Sequence, residues 1–167
     1  MKKCFVVSPI GDVGSQIRKH ADNVLKGLIR PVCNSFEYEV VRIDELAGSK
    51  SIPSEIFSHL DDDDLVIADI TGLNPNVLLE LGYRMKTAKP YVIIRDKDDT
   101  DSTPFDIASI RYHSYGLMPD DLSDAIAVLS KAVAASENDY DPNVTYLGQD
   151  MYLKTEPNGS VSITKKP

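Results

Sequence analysis

The stretch LVIADITGLNPNVLLELGYR, residues 65–84, decides the fold of this chain. Its first six residues, LVIADI, are the most apolar of the short runs and predict a central strand of a parallel sheet, buried on both faces. Asn74 can cap the helix that follows, with Pro75 at its first position. A buried strand followed directly by a capped helix is typical of a βαβ unit.

Similar units flank this stretch on both sides. Apolar or alternating runs predict four more strands, at residues 4–8, 38–43, 91–95 and 110–115. Helical spacing predicts three more helices, at residues 15 to about 30, 53–60 and 120–135. We expect Pro31 to end or kink the first of these, and Ser51 to cap the second. The pattern predicts an α/β, flavodoxin-like three-layer sandwich with a five-stranded parallel sheet over residues 1–135.

Residues 136–167 form a C-terminal extension of different character. It is polar and rich in Asn, Asp, Pro and Gly, and within it MYLKTE and SVSITK flank the turn sequence PNG. This arrangement predicts a β-hairpin. Because a lone hairpin is marginal in water, we expect it to pack on the domain or on a partner chain.

Composition limits the class of protein. The chain has 167 residues, 42% of them hydrophobic, which is enough for one globular domain with a buried core. Its net charge of -8 argues against nucleic acid or an anionic membrane as the main partner. Cys4 and Cys33 have neither metal-ligand spacing nor the density of a disulfide scaffold, so we expect two reduced, buried thiols in a cytoplasmic protein.

The first loop carries residues that suit an anion. In an open parallel sheet the binding crevice lies at the carboxyl ends of the strands. Ser8, Gly11 and Ser15 follow the first strand where the loop opens into a helix, and Arg18 comes one turn later. Backbone N–H groups at a helix start, together with a guanidinium, favour phosphate or carboxylate. A tight turn with Ser15 as the helix cap explains the same residues equally well.

Asp69 ends the central strand, and Thr71 follows it. In one interpretation Asp69 only accepts hydrogen bonds from its own turn. In the other, which we favour, it faces the crevice and binds a sugar hydroxyl, with Thr71 beside it.

Glu80, Tyr83 and Arg84 share one face of the next helix, because they are spaced at i, i+3 and i+4. A surface ion pair between Glu80 and Arg84 would contribute only a few tenths of a kcal/mol. Alternatively, Glu80 lies in the crevice against leucines, where burial raises its pKa and suits it to acid, base or nucleophile chemistry. The three histidines show no pairing that indicates a catalytic triad, and no metal site is expected, since the consecutive aspartates 61–64 would not converge on an ion.

Several segments are similar, in matching order over residues 4–133, to one known superfamily. They are CFVVSPIG, GSQIR, DLVIADITGLNPNVLLELGYR, KPYVIIRD and PFDIASIRYHSY. Together they resemble the nucleoside 2-deoxyribosyltransferase-like superfamily, in the bacterial branch that grades into Toll/interleukin receptor (TIR)-like proteins. The resemblance implies the flavodoxin-like fold and cleavage or exchange of the bond between a ribose and its base. It also implies a catalytic helix glutamate, matched by Glu80, and a strand-end aspartate that contacts the sugar, matched by Asp69.

The resemblance also implies partners and a mechanism. The group of Ser8, Gly11, Ser15 and Arg18 resembles members that hydrolyse nucleoside monophosphates or act on dinucleotides, and the TIR-like branch points to NAD. We expect Tyr83 and Arg84 to orient Glu80, with Phe105 or Asp106 closing over the base. No cofactor is expected.

A site completed by a second subunit would make the protein a homo-oligomer, and a role in signalling would need a separate sensor protein. Two other functions stay open: a nucleotide-binding or TIR-like signalling and defence module that assembles on ligand binding, and a scaffold in which Glu80 is a surface residue.

Overall fold

The sheet has the predicted five parallel strands. The computed structural model describes residues 1–46, 52–103, 110–138, 144–146, 151–155 and 159–165. Its five parallel strands are β1 (Lys2–Val7), β2 (Tyr38–Arg42), β3 (Leu65–Asp69), β4 (Tyr91–Asp96) and β5 (His113–Tyr115). They lie in the order β2-β1-β3-β4-β5, so β3 is central and all of its residues are buried. This order is that of the flavodoxin-like fold.

Helices cover both faces of the sheet. They are α1 (Gln16–Val24), α2 (Arg30–Ser35), α3 (Ile52–Asp62), α4 (Pro75–Lys86) and α5 (Pro119–Asn138). Cys4 and Val6 point to the face covered by α1, α2 and α5, whereas Phe5 and Val7 point to the face covered by α3 and α4. Successive side chains alternate in this way along any strand, so a strand that is apolar throughout must be covered on both sides.

The first helix does not end at Pro31. A π-helical turn, Leu25–Ile29, joins α1 to α2, and the helix continues to Ser35. Proline has no N–H to donate, and its ring crowds the carbonyl four residues earlier in a regular helix. The wider turn just before Pro31 gives the helix room to continue past this residue.

The helix starts follow the sequence. Ser15 caps α1, its hydroxyl accepting a hydrogen bond from the backbone N–H of Arg18. Asn74 caps α4 through the N–H of Asn76, with Pro75 as the first helical residue, as predicted. Ser51, the predicted cap of α3, lies outside the described residues.

Two elements differ in length from the prediction. β5 begins only at His113, because it pairs with just the last three residues of β4, and the preceding Arg111 and Tyr112 are exposed. α5 runs on to Asn138, three residues further than its pattern predicted.

The C-terminal extension contains the predicted hairpin. β7 (Met151–Thr155) pairs antiparallel with β8 (Val161–Lys165), and β6 (Val144–Tyr146) adds a third strand beside β7. Gly159 lies between β7 and β8 with a φ of 81°, a conformation that favours glycine. In the described part of the chain, no helix is long and apolar enough to cross a membrane.

Cys4 on β1 and Cys33 on α2 are both buried and free, as predicted. Their sulfur atoms lie 3.7 Å apart in the core. Burial raises the pKa of Cys4 well above its usual range.

Arg84 is fully buried on α4 and fastens the turns that precede β3 and β4. Its guanidinium donates hydrogen bonds to the backbone carbonyls of Leu60 at 2.7 Å, Asp63 at 2.8 Å and Pro90 at 2.9 Å. A buried charge is tolerable when its donors are satisfied in this way. The side chain therefore holds α3, α4 and two strand entries together.

We expect Arg84→Met to lower the free energy of unfolding by about 3 kcal/mol, because three backbone carbonyls, two of them in buried hydrogen bonds, would each lose a donor contributing about 1 kcal/mol. Urea unfolding followed by circular dichroism measures the change. Lys86→Met, at an exposed position of the same helix, is the matched control and should change stability by no more than about 0.5 kcal/mol. Equal effects of the two substitutions would contradict the role given to Arg84.

Candidate functional site

A crevice of about 430 Å³ opens at the carboxyl edge of the sheet, where the ends of β1, β3 and β4 meet. Strand order reverses between β1 and β3, which is where ligands bind in open α/β sheets. The volume falls in the range of about 300 to 1,000 Å³ that is usual for small-molecule sites. The lining residues are Pro9, Gln16, Ile17, His20, Ala21, Thr71, Gly72, Asn74, Asp96, Asp98 and Asp99.

The loop after β1 is packed tightly against the start of α1. A Cβ on Gly11 would lie 2.6 Å from the Ser15 hydroxyl and 3.0 Å from Ile17 Cβ, so only glycine fits there. Ser15 caps α1 through the N–H of Arg18, and an anion site at this loop stays a prediction. Ser8, at the end of β1, has a buried hydroxyl with no hydrogen-bond partner among the described residues. The Ser8 hydroxyl is thus an unsatisfied hydrogen-bonding group beside the crevice.

Arg18 lies in a cluster of charges rather than in the crevice. Its guanidinium is 2.5 Å from Asp44 and 3.4 Å from Asp22. Arg42, which is buried, pairs with the same two aspartates. The hydrogen bond from Arg42 lowers the pKa of Asp22. The arginine that was expected to bind a substrate anion is therefore already paired with carboxylates.

Asp69 is fully buried behind the crevice wall. Its carboxylate accepts hydrogen bonds from the Thr71 backbone N–H at 3.1 Å, the Thr71 hydroxyl at 2.5 Å and the Tyr115 hydroxyl at 2.8 Å. Burial raises the pKa of Asp69, and the hydrogen bonds from Thr71 and Tyr115 oppose that shift. The partners of Asp69 in the described chain are Thr71 and Tyr115, and its contact with a sugar stays a prediction. Asp69 positions Thr71, the one predicted binding residue in the described chain that lines the crevice.

His20 is a crevice residue that sequence reasoning missed. Its Nε2 lies 2.9 Å from the Tyr115 hydroxyl and 3.4 Å from a carboxylate oxygen of Asp96. Its ring also stacks on that of Tyr115, with centroids 6.1 Å apart. The signal was present in the sequence: Gln16 and His20 are one turn apart at the start of α1, while Asp96 and Tyr115 end neighbouring strands. All four therefore meet at the carboxyl edge.

The wall that follows β4 is acidic. Burial alone would raise the pKa of Asp99, but hydrogen bonds from Arg95 and from the backbone N–H groups of Asp101 and Gly72 lower it to about 2. Arg95 is itself buried and 2.8 Å from Asp99, so this pair is internally neutralised. Asp98 is exposed. Among the described residues that line the crevice there is no lysine or arginine.

Glu80 is partly buried on α4, six residues beyond Asn74. Within the described chain its carboxylate accepts no hydrogen bond and forms no ion pair. Burial raises its pKa from 4.5 to about 7. A carboxylate near its pKa at neutral pH can act as acid, base or nucleophile. Glu80 does not line the crevice itself, although Asn74, the residue that caps its helix, does.

Tyr83 and Arg84 share the helix face of Glu80 but serve to fasten α4. The Tyr83 hydroxyl donates to Asp61 at 2.9 Å, and its ring packs edge-on against Phe57 of α3. Arg84 donates to backbone carbonyls at the opposite edge of the sheet, as described above. The structure thus uses both residues for packing, where the sequence predicted that they orient Glu80. Phe105 and Asp106 lie outside the described residues.

Within the described ranges, no three His, Cys, Asp or Glu side chains are placed to hold a metal ion. Three of the four aspartates at residues 61–64 have separate side-chain partners instead: Asp61, Asp63 and Asp64. Asp63 lies 2.8 Å from His59, and Asp64 accepts a hydrogen bond from the backbone N–H of Lys3.

Two solved structures share this fold. The 2-deoxyribosyltransferase of Bacillus psychrosaccharolyticus is 14% identical and superposes with a TM-score of 0.50, over 84% of this chain and 93% of that chain. The CMP N-glycosidase BcmB of Clostridium botulinum is 12% identical, with a TM-score of 0.50 over 77% of this chain and 99% of that chain. No family model and no curated protein sequence matches the chain. At these identities the likeness is one of fold.

The raised pKa of Glu80 has a consequence for stability. Between about pH 4.5 and 7 the folded protein binds more protons at this residue than the unfolded chain does. Its contribution to the free energy of unfolding therefore falls as pH rises through that window. We expect Glu80→Gln to stabilise the fold at pH 8 by about 1 to 2 kcal/mol, allowing for partial exposure, and to have little effect near pH 4.5.

Urea unfolding of the wild type and the variant at both pH values measures this difference. Glu39→Gln, at an exposed position of β2, is the matched control and should give no pH-dependent difference. A Glu80→Gln effect that is the same at both pH values would show that burial does not perturb this carboxylate.

Proposed function

We propose that this protein cleaves or transfers the N-glycosidic bond of a nucleotide, with Glu80 as the residue that attacks or stabilises the anomeric carbon. The observation that carries the proposal is the environment of Glu80, which is half-buried, without a partner in the described chain and raised in pKa to about 7. Carboxylates removed from water are usually paired with a hydrogen-bond donor or a cation, so a half-buried carboxylate without such a partner is a candidate for a functional role.

Cleavage of a glycosidic bond suits such a group. The transition state resembles an oxocarbenium ion, so positive charge develops at the anomeric carbon as the base departs. A carboxylate in a poorly hydrated environment interacts strongly with that charge, or bonds to the carbon directly. Glu80 would act in its ionised form.

The crevice supplies a place for the substrate beside this helix. Asn74 at the start of α4 lines the crevice, and Glu80 is six residues further along, about 9 Å at 1.5 Å per residue. A sugar near Thr71 and Asn74 would direct its anomeric carbon along α4 toward Glu80. Asp69 contributes by holding Thr71 in place.

The substrate class in this proposal is a nucleoside monophosphate or an NAD-like nucleotide. The shared fold with a CMP N-glycosidase and a 2-deoxyribosyltransferase is compatible with either. The unpartnered hydroxyl of Ser8 and the first N–H groups of α1 offer hydrogen bonds to a phosphate. Arg18 would contribute only after releasing Asp44.

A second candidate function has one observation in its favour. Glu80 does not line the crevice, so a ligand could fill the crevice without meeting this carboxylate. The protein would then be a nucleotide-binding module of TIR-like signalling or defence type, which assembles when the ligand binds.

Release of free base separates the two functions. The protein is incubated with NAD and with ribo- and deoxyribonucleoside monophosphates, and released base is measured by chromatography. We expect release from at least one nucleotide, and a loss of about 100-fold or more in Glu80→Gln, because the amide can neither bond to the anomeric carbon nor balance its charge.

Glu39→Gln is the matched control and should leave base release unchanged. Release that persists in Glu80→Gln would remove this residue from the reaction. If no nucleotide loses its base but one of them raises the melting temperature, the binding module is the correct function.

A further inference from the structure

His20 lines the crevice, but the reaction proposed for Glu80 assigns it no role. We propose that His20 is the acid–base catalyst at this site, exchanging one proton through Nδ1 while Tyr115 and Asp69 hold Nε2. The inference rests on the proposed function and deepens it, because it adds the group that moves protons to and from the leaving base and water.

Counting protons fixes which ring nitrogen of His20 is free. Asp69 accepts the hydroxyl protons of both Thr71 and Tyr115. The Tyr115 oxygen has then spent its only proton and can only accept. His20 Nε2, 2.9 Å away, must therefore be the donor in that contact. The network holds the imidazole with its proton on Nε2.

The other nitrogen, Nδ1, has no hydrogen-bond partner among the described residues. His20 lines the crevice, and about a third of its side chain is exposed. In the neutral ring Nδ1 is an acceptor, and in the charged ring it is a donor. Nδ1 is thus the nitrogen that can take up and return a proton in the crevice.

His20 and Glu80 approach the carboxyl edge from opposite sides. α1 packs on one face of the sheet through Ala21 and Val24, and α4 packs on the other through Val77 and Leu81. A sugar bound across the edge would have one catalyst on each side. A double displacement requires this arrangement, because the nucleophile attacks opposite the leaving group.

The two steps balance with these groups. In the first, the bond between C1′ and the base nitrogen breaks, its electron pair stays with the base, Nδ1 gives the base a proton, and a Glu80 oxygen bonds to C1′. In the second, water attacks C1′ and gives a proton to Nδ1, and the bond between C1′ and Glu80 breaks, which regenerates the carboxylate. Transfer replaces the water by another acceptor, such as a second base.

Several carboxylates lie around the imidazole of His20. Asp96 at the end of β4 lies 3.4 Å from Nε2, Asp98 and Asp99 follow on the same wall, and Asp69 on β3 acts through Tyr115 of β5. Asp99 is already paired with Arg95, so Asp96 is the carboxylate in closest contact.

The choice of leaving group distinguishes an acid–base role of His20 from a purely structural one. A purine or pyrimidine needs a proton to leave, whereas the nicotinamide of NAD leaves as a neutral pyridine. In single-turnover base release we expect His20→Gln to slow a nucleoside monophosphate by about 100-fold and NAD by less than about 10-fold. The alkaline limb of the pH profile, which reports a required acid, should disappear in the variant.

Added imidazole should partly restore base release to His20→Ala. His59→Gln is the matched control, since His59 also contacts an aspartate but lies outside the crevice, and it should keep the wild-type pH profile. An unchanged alkaline limb in His20→Gln, or equal slowing of both substrates, would overturn the role of His20 while leaving Glu80 in place. If the wild type releases no base, the proposed function fails instead.

The position of the proton can be measured without turnover. Long-range ¹H–¹⁵N spectra should show His20 with its proton on Nε2. Tyr115→Phe should allow Nδ1 to become protonated instead, because this variant lacks the hydroxyl oxygen that accepts the hydrogen bond from Nε2. Binding of a nucleotide should shift the Nδ1 signal of His20 and leave His59 unchanged. A wild-type ring protonated on Nδ1 alone, or a nucleotide that binds without moving the His20 signal, would overturn the inference whether or not the protein is an enzyme.

Discussion

The burial of one carboxylate, that of Asp69, organises the functional edge of the sheet. A carboxylate removed from water must be supplied with hydrogen-bond donors, and here they come from Thr71 in the following turn and from Tyr115 on β5. Thr71 in turn accepts the backbone N–H of Asp96. Hydrogen bonds thereby connect the ends of β3, β4 and β5, which form the crevice wall that His20 contacts through Tyr115.

The helix α4 combines two opposite uses of buried charge. Arg84 is buried with its donors satisfied, so it fastens the turns at the amino edge. Glu80, one turn earlier, is half-buried with no partner in the described chain, so its ionised form costs stability. The same helix is held firmly at one end and carries a destabilised group nearer the other. Active sites commonly have this division, because reactivity requires a group to stay unsatisfied until substrate arrives.

Local sequence patterns predicted what local physics controls. The apolar run of β3, the cap at Asn74 and the proline at position 75 determined the βαβ unit, because burial and capping depend on neighbouring residues. The spacing of Glu80 placed it beside the core stripe of its helix, which is where burial raises its pKa. Pro31 was expected to end or kink the first helix. The helix does not end there but continues to Ser35, after a π-helical turn just before the proline.

Local sequence patterns could not predict contacts between residues that are far apart in the chain. Arg18 meets Asp44, 26 residues away, and His20 meets Tyr115, 95 residues away. A guanidinium at a helix start looks the same in sequence whether it is free to bind an anion or is already paired with an aspartate. Here the turn that follows β2 brings Asp44 to Arg18. Arg84 likewise has a helix-surface spacing in the sequence, yet its partners are carbonyls that only the fold brings within reach.

The reactivity of the two thiols in the core can serve as a measure of local unfolding. Cys4 and Cys33 belong to different elements, and their sulfur atoms are already close, but a disulfide requires about 2 Å and a path for an oxidant. Burial excludes reagents and keeps Cys4 in its unreactive thiol form. Thiol modification can therefore proceed only when β1 separates from the helix above it, so the reactivity of these cysteines reports how often the core opens.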